Sequence, residues 1–210
     1  AKKQIEALNL LLTQDLEKGN NEIGSAIWSA LKGKDYVEEI IVPTEQKSWQ
    51  QALGDNPLVN LDNRLTLNKQ QALAFSQLLF QEGFNVWLLE GVTGSGKTEI
   101  YLQYIEEVLK KDKQVLVLVP EIGLTPQTVR RFQARFNVEI DVLHSNLNDT
   151  QRLNVWERAR TGQSAIVIGT RSALFTQFSD LGLIILDEEH DGSFKQQDGW
   201  RYHARDLGIV

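Results

Sequence analysis

Gly91-Val92-Thr93-Gly94-Ser95-Gly96-Lys97-Thr98 places glycines, a lysine and hydroxyls in the spacing G-x-x-x-x-G-K-[ST]. The apolar run Val86-Trp87-Leu88-Leu89 precedes it and a stretch of helical periodicity follows. That spacing suits a polyphosphate. A backbone that wraps a phosphate and aims several N–H groups inward takes conformations a Cβ obstructs, hence Gly91, Gly94 and Gly96, with Thr93 and Ser95 completing the loop. The helix that follows adds partial positive charge at its first turn. Lys97 then supplies a compact charge to the β- and γ-phosphate oxygens, and the Thr98 hydroxyl is set to coordinate Mg²⁺. The expected cofactors are ATP and Mg²⁺. A merely flexible glycine-rich turn is the competing reading, and the flanking strand and helix patterns speak against it.

A second group of chemical side chains stands about ninety residues later, where Leu183-Ile184-Ile185-Leu186 runs into Asp187-Glu188-Glu189-His190-Asp191. Carboxylates massed at the end of a buried-strand pattern invite a cation. Beside a phosphate loop, Asp187 would hold the Mg²⁺ shell and Glu188 would orient or deprotonate an attacking water. His190 would lie close enough to couple the nucleotide to whatever lies beyond. Standing alone, the segment reads equally well as a solvated acidic turn. The spacing from the loop allows several βα units between two strands whose C-terminal ends share one face, where open α/β sheets bind ligands.

The elements that must position these groups follow from periodicity. From Leu65 onward short apolar runs alternate with helical patterns, as in a mainly parallel sheet covered on both faces. Strands are expected at Val86–Leu89, Val115–Val119, Ile140–Leu143, Ala165–Ile168 and Leu183–Leu186, and helices at Lys69–Gln81, Lys97–Lys110, Thr125–Phe136 and Thr150–Arg160. Residues 1–43 read as a separate small unit. Ile5, Leu8, Leu11, Leu12 and Leu16, then Ile23, Ile27 and Leu31, recur at helical spacing; Gly33 ends the second helix, and Tyr36–Val42 has strand composition up to Pro43. Residues 44–64, polar and containing Gly54 and Pro57, read as a linker, which leaves 65–210 as the α/β lobe.

Composition narrows the class. With 41% hydrophobic and 24% charged residues the chain is globular. It has no run of eighteen apolar residues and no signal or transit pattern, so a soluble intracellular protein without a membrane partner is expected. With no Cys and three scattered His, no zinc site is expected within the chain, and any metal would be bound through nucleotide phosphates. The net charge of −6 argues that any polynucleotide contacts come from local geometry rather than from an overall basic balance. The absence of Met suggests a segment excised from a longer chain.

Together the phosphate loop and Asp187-Glu188-Glu189-His190 resemble the helicase superfamily that includes the DEAH-type proteins. More closely, the chain is similar to the bacterial primosomal replication-restart helicases. The matches are Gly91–Glu99, Pro120-Glu121-Ile122-Gly123-Leu124-Thr125-Pro126-Gln127, Leu143-His144-Ser145, Gly169-Thr170-Arg171-Ser172-Ala173-Leu174-Phe175 and Asp187–Asp191. The resemblance implies a RecA-like P-loop lobe preceded by a winged-helix-like domain, in which Ser25–Gly33 carries the likeness. In Leu67-Asn68-Lys69-Gln70-Gln71 it assigns adenine recognition to Gln71, although the family's usual Glu is Gln70 here. It places Thr125, Thr170 and Arg171 on the phosphates of single-stranded DNA, and it implies an aromatic-rich loop in Phe194–His203, with Phe194, Trp200 and Tyr202 stacking on bases. A surface salt bridge is the plainer role for Arg171, and core packing the plainer role for the aromatics.

The implied activity is ATP-driven 3′ to 5′ DNA unwinding in replication restart, in the bacterial cytoplasm with the nucleoid. Single-stranded and forked DNA, single-stranded DNA-binding protein and primosome proteins would be the partners. The family's second motor lobe carries an arginine finger, so this stretch alone is expected to bind nucleotide and hydrolyse it very slowly. Residues 1–45 hold five Lys/Arg against eight Asp/Glu, which suits docking or spacing as well as DNA contact. Alternatives remain open: a double-strand translocase, an RNA-dependent ATPase, or a nucleotide-regulated docking platform.

Overall fold

Val115, Leu116, Val117 and Leu118 are all buried, because their strand is covered on both sides. Successive side chains of a strand point to opposite faces, and the packing follows that alternation. Val115 and Val117 join Leu102, Ile105, Leu109, Phe132 and Phe136 on one face. Leu116 and Leu118 join Val155, Ala159, Ala173, Phe194 and Ala204 on the other. The result is a sheet between two helical layers. The computed structural model describes residues 3, 5–8, 25–34, 36–37, 47–79 and 83–210.

The strands are β1 (Gln114–Leu118), β2 (Ile140–Leu143), β3 (Ile166–Gly169) and β4 (Leu181–Leu186), all parallel, in the order β2-β3-β1-β4. Lys195–Gln196 and Tyr202–His203 form a separate antiparallel pair, β5 and β6. Residues 5–8 are helical, and the further helices among the described residues are α1 (Ser25–Lys32), α2 (Trp49–Leu53), α3 (Lys69–Leu79), α4 (Lys97–Leu109), α5 (Pro126–Arg135), α6 (Asp149–Arg160) and α7 (Ala204–Ile209). Helices α4 and α5 contribute to the first apolar layer, and α6 and α7 to the second.

The register decides where chemistry can gather. Leu143 pairs with Gly169, Gly169 with Leu118, and Leu118 with Leu186, so the four strands end on one row. Each of the motif segments beginning at His144, Thr170, Val119 and Asp187 therefore leaves the sheet at the same edge. Gly169 must be glycine at this row, since a Cβ there would run into Ala173 and would stand 2.8 Å from the Leu143 carbonyl oxygen.

Two expectations are corrected. Residues 86–89 form no strand: Val86, Trp87 and Leu88 are exposed and make no ladder among the described residues. A strand needs a partner edge, which composition cannot supply. Residues 47–64, the described part of the expected linker, are docked on the lobe instead. Ser48 caps α2 through a capping box, Trp49 is buried, Val59 bridges Phe136, and the Asn60 N–H donates to the Arg135 carbonyl at 2.8 Å. A polar stretch can dock when two apolar anchors are buried and its backbone groups find partners. The segment Tyr36–Val42 falls mostly outside the described residues, and Tyr36 and Val37 are not in a strand.

The chain divides into two units, residues 1–45 and 46–210. In the first, α1 places Leu31 in a small core with Ala7, packed by Leu8, Ile27, Trp28 and Val37. Gly33 closes α1 by donating its N–H to the Ser29 carbonyl at 3.0 Å.

Candidate nucleotide site and its neighbouring motifs

The phosphate loop lies between residue 91 and the first turn of α4. Gly94 and Gly96 sit at φ 79° and 84°, in the left-handed region that glycine adopts at little cost. A Cβ on Gly91 would stand 2.7 Å from the Ser95 hydroxyl oxygen, so the loop closes tightly on itself. The Lys97 ammonium donates to the Gly91 carbonyl at 2.5 Å. Gly96 precedes α4 without a side-chain cap, leaving the first turn's N–H groups uncapped by any side chain at the mouth of the loop.

Gln71 reaches this loop from α3. Its Nε2 donates to the Ser95 carbonyl at 2.8 Å, while its Oε1 accepts from the Asn68 N–H at 2.9 Å. Asn68 in turn accepts from the Gln71 N–H, so a capping pair at the start of α3 fixes the amide against the phosphate loop.

Asp187 follows β4, its N–H donating to the Leu118 carbonyl at 2.9 Å. Its Oδ2 accepts from the Tyr101 hydroxyl at 3.2 Å. Tyr101 lies one turn after Thr98 on α4, so the loop and the acidic motif meet through it. Burial, followed by the Asp187 charge, pushes the Tyr101 phenol well above its ordinary range, while the Thr98 hydroxyl on the same phenol draws it down. Tyr101 was not singled out from the sequence; its position three residues after Thr98 was the available signal.

Glu188 stands at φ 53°, an uncommon conformation for a residue with a Cβ. Such backbone strain is often kept at working sites. Its carboxylate lies 3.7 Å from His190 Nε2, with both side chains at least half exposed. Asp191 accepts from the Ser193 N–H, and hydrogen bonding from Ser193 lowers its pKa. Asp187, Glu188 and His190 share a cleft of about 420 Å³ with Pro120, Gly123 and Thr128, so the acidic motif and the 120–128 segment face one space. Thr98, one turn before Tyr101 on α4, and Asp187, bound to the Tyr101 hydroxyl, offer hard oxygen donors, a set that fits Mg²⁺ beside a phosphate loop.

The residues expected on DNA divide. Thr125 is exposed and caps α5, accepting from the Thr128 N–H. Trp200 is 71% exposed and clusters with Tyr202 and Phe175, the ring centroids being 5.1–5.7 Å apart. Phe175, half exposed, belongs to this surface. Arg171 donates from Nη1 to the Ser193 and Lys195 carbonyls, both at 2.9 Å, which ties the 169–175 segment to the aromatic loop.

Two expected contacts are corrected. Phe194 is 0% exposed and belongs to the core with Ala173 and Ala204, because the short helical turn Gly192–Phe194 directs it inward. Thr170 is 7% exposed, since it continues the buried end of β3 and its N–H donates to the Leu143 carbonyl.

Comparison with known proteins agrees with this geometry. Over all 210 residues the chain is 79% identical to the replication restart protein PriA of Haemophilus influenzae, of which it spans 29%. It is 48% identical over 148 residues to the Bacillus subtilis protein of the same name, matching 69% of this chain and 18% of that one. Among solved structures, RecG bound to a three-way DNA junction superposes with a TM-score of 0.54 at 28% identity, over 60% of this chain and 18% of RecG. The parallel sheet and flanking helices are those of a helicase RecA-like lobe. Residues 68–208, which hold the loop, the aligned strand ends and the acidic motif, match the model of the DEAD/DEAH box helicases, and the chain belongs to that family.

Proposed function

We propose that this chain supplies the ATP-binding lobe of a 3′ to 5′ DNA helicase that acts in replication restart. The observation that carries the reading is the Tyr101 hydroxyl, one turn after Thr98, bound to the Asp187 carboxylate at 3.2 Å, which joins a phosphate loop to an acidic strand end. The 79% identity to a replication restart protein supports the biological role.

The chemistry expected of each group follows from its place. The loop from Gly91 to Gly96 and the Lys97 ammonium hold the phosphates, and Gln71 recognises adenine from its fixed position beside Ser95. Thr98 and Asp187 hold Mg²⁺, which when bound neutralises charge on the transferring phosphoryl group. Glu188 takes the proton of the attacking water, and His190 beside it couples that event to the cleft shared with residues 120–128.

On the polynucleotide side, exposed Trp200, Tyr202 and Phe175 form a surface for base stacking, which tolerates any sequence. Thr125 and Arg171 contact phosphates, Arg171 with guanidinium nitrogens other than the one bound to the loop carbonyls. Residues 1–43 serve as a winged-helix-like domain ahead of the lobe, and single-stranded DNA-binding protein and primosome proteins are partners of the whole assembly in the bacterial cytoplasm.

The test is ATP turnover by the full-length protein with single-stranded DNA, forked DNA or RNA. Stimulation by single-stranded and forked DNA with displacement of a strand is expected. Stimulation by RNA alone, or by duplex DNA without strand displacement, would instead favour an RNA-dependent ATPase or a double-strand translocase.

A further inference from the structure

Tyr101, one turn after Thr98, holds the Asp187 carboxylate at the nucleotide site, and its own position is set by packing. The side chain is 9% exposed, with its ring stacked on Phe132 at a centroid distance of 6.4 Å and an interplanar angle of 20°. Its hydroxyl can donate one proton and accept at oxygen, whereas an ionised aspartate can only accept. The phenol proton therefore goes to Asp187 Oδ2, 3.2 Å away.

That one contact fixes a direction. Asp187 is held through Oδ2, so its carboxylate cannot rotate freely and Oδ1 stays available.

We infer that Tyr101 is a positioning residue for the divalent cation, presenting the Asp187 carboxylate already oriented to receive Mg²⁺. The inference rests on the nucleotide-site reading proposed above. Groups that orient metal ligands from behind typically contribute 10–100-fold in metal affinity. Tyr101 is not itself a ligand, so its removal should weaken the metal and leave the phosphate loop intact.

The experiment is calorimetric binding of ADP to the full-length protein, in Mg²⁺ and in EDTA, comparing the parent with Tyr101→Phe. Phenylalanine keeps the stack on Phe132 and removes only the hydroxyl. The gain in ADP affinity conferred by Mg²⁺ should shrink about 10-fold or more, while affinity in EDTA stays at the parent value. An unchanged gain would overturn the inference, and an equal loss with and without Mg²⁺ would overturn it in favour of a packing role. Lys97→Ala in the same assay reports separately on the phosphate loop. If that variant bound ADP as the parent does, the nucleotide-site reading would fail along with what rests on it.

Discussion

The Arg135 guanidinium, at the end of α5, donates to Glu99 Oε1 on α4 at 3.0 Å, with the arginine side chain only 1% exposed. Glu99 also accepts from Gln103, and Arg135 donates to the Asn63 carbonyl at 2.7 Å. One buried pair thus ties together the helix that starts at the phosphate loop, the helix capped by Thr125 and the segment that leads to Gln71.

Removing Arg135 would leave Glu99 buried and uncompensated. Arg135→Ala should cost about 3–5 kcal/mol of unfolding free energy, the scale for breaking such a pair from one side. The double variant Glu99→Gln/Arg135→Met should lose less than Arg135→Ala alone, because no charge is stranded. Urea melts of the three proteins decide this, and a double variant as unstable as the single one would contradict it.

Lys97→Ala should weaken Mg-ADP binding by about 10–100-fold, from the loss of a hydrogen bond of about 1.5–3 kcal/mol to a charged group. The Lys97 ammonium lies against the Gly91 carbonyl, at the mouth a phosphate must enter. Titration calorimetry gives the ratio of affinities directly, and a ratio near one counts against the loop.

Glu188→Gln in the full-length protein should bind nucleotide normally and turn over about 10²-fold more slowly, as on losing a general base. Single-turnover hydrolysis separates the two quantities. Undiminished turnover would move the role to another carboxylate, with Glu189 disfavoured because Arg205 holds it at 3.1 Å.

Phe194→Ala and Trp200→Ala should differ in kind. Phe194 is wholly buried, so its loss should cost about 3–5 kcal/mol of stability. Trp200 is mostly exposed, so its loss should leave the melt nearly unchanged while lowering affinity for single-stranded DNA by about 1–3 kcal/mol per stacked base. Melts and fluorescence titrations of both variants give the comparison, and a destabilised Trp200→Ala would place that ring in the core instead.

What the sequence alone determined lies in short windows. The spacing from Gly91 to Thr98 needs only local backbone geometry, so the loop and α4 were legible residue by residue. The strands near 115–119 and 165–168 were legible because a strand buried on both faces is continuously apolar, and the half-buried strand ending at Leu186 by its run of four apolar residues. Clustered carboxylates after Leu186 likewise need no partner to be noticed.

Tertiary structure decided everything that depends on a distant partner. Whether Val86–Leu89 forms a strand depends on an edge to pair with, and whether residues 47–64 dock depends on Phe136 and Arg135, more than seventy residues away. Phe194 and Trp200 have similar aromatic composition around them, yet one turn buries the first and a hairpin exposes the second. The place of Tyr101 one turn after Thr98 could be read locally, but its partner could not: Asp187, 86 residues on, is brought to 3.2 Å by the packing of α4 against the sheet. Local spacing encodes backbone geometry, while proximity across a sheet is set by the packing of all its layers at once.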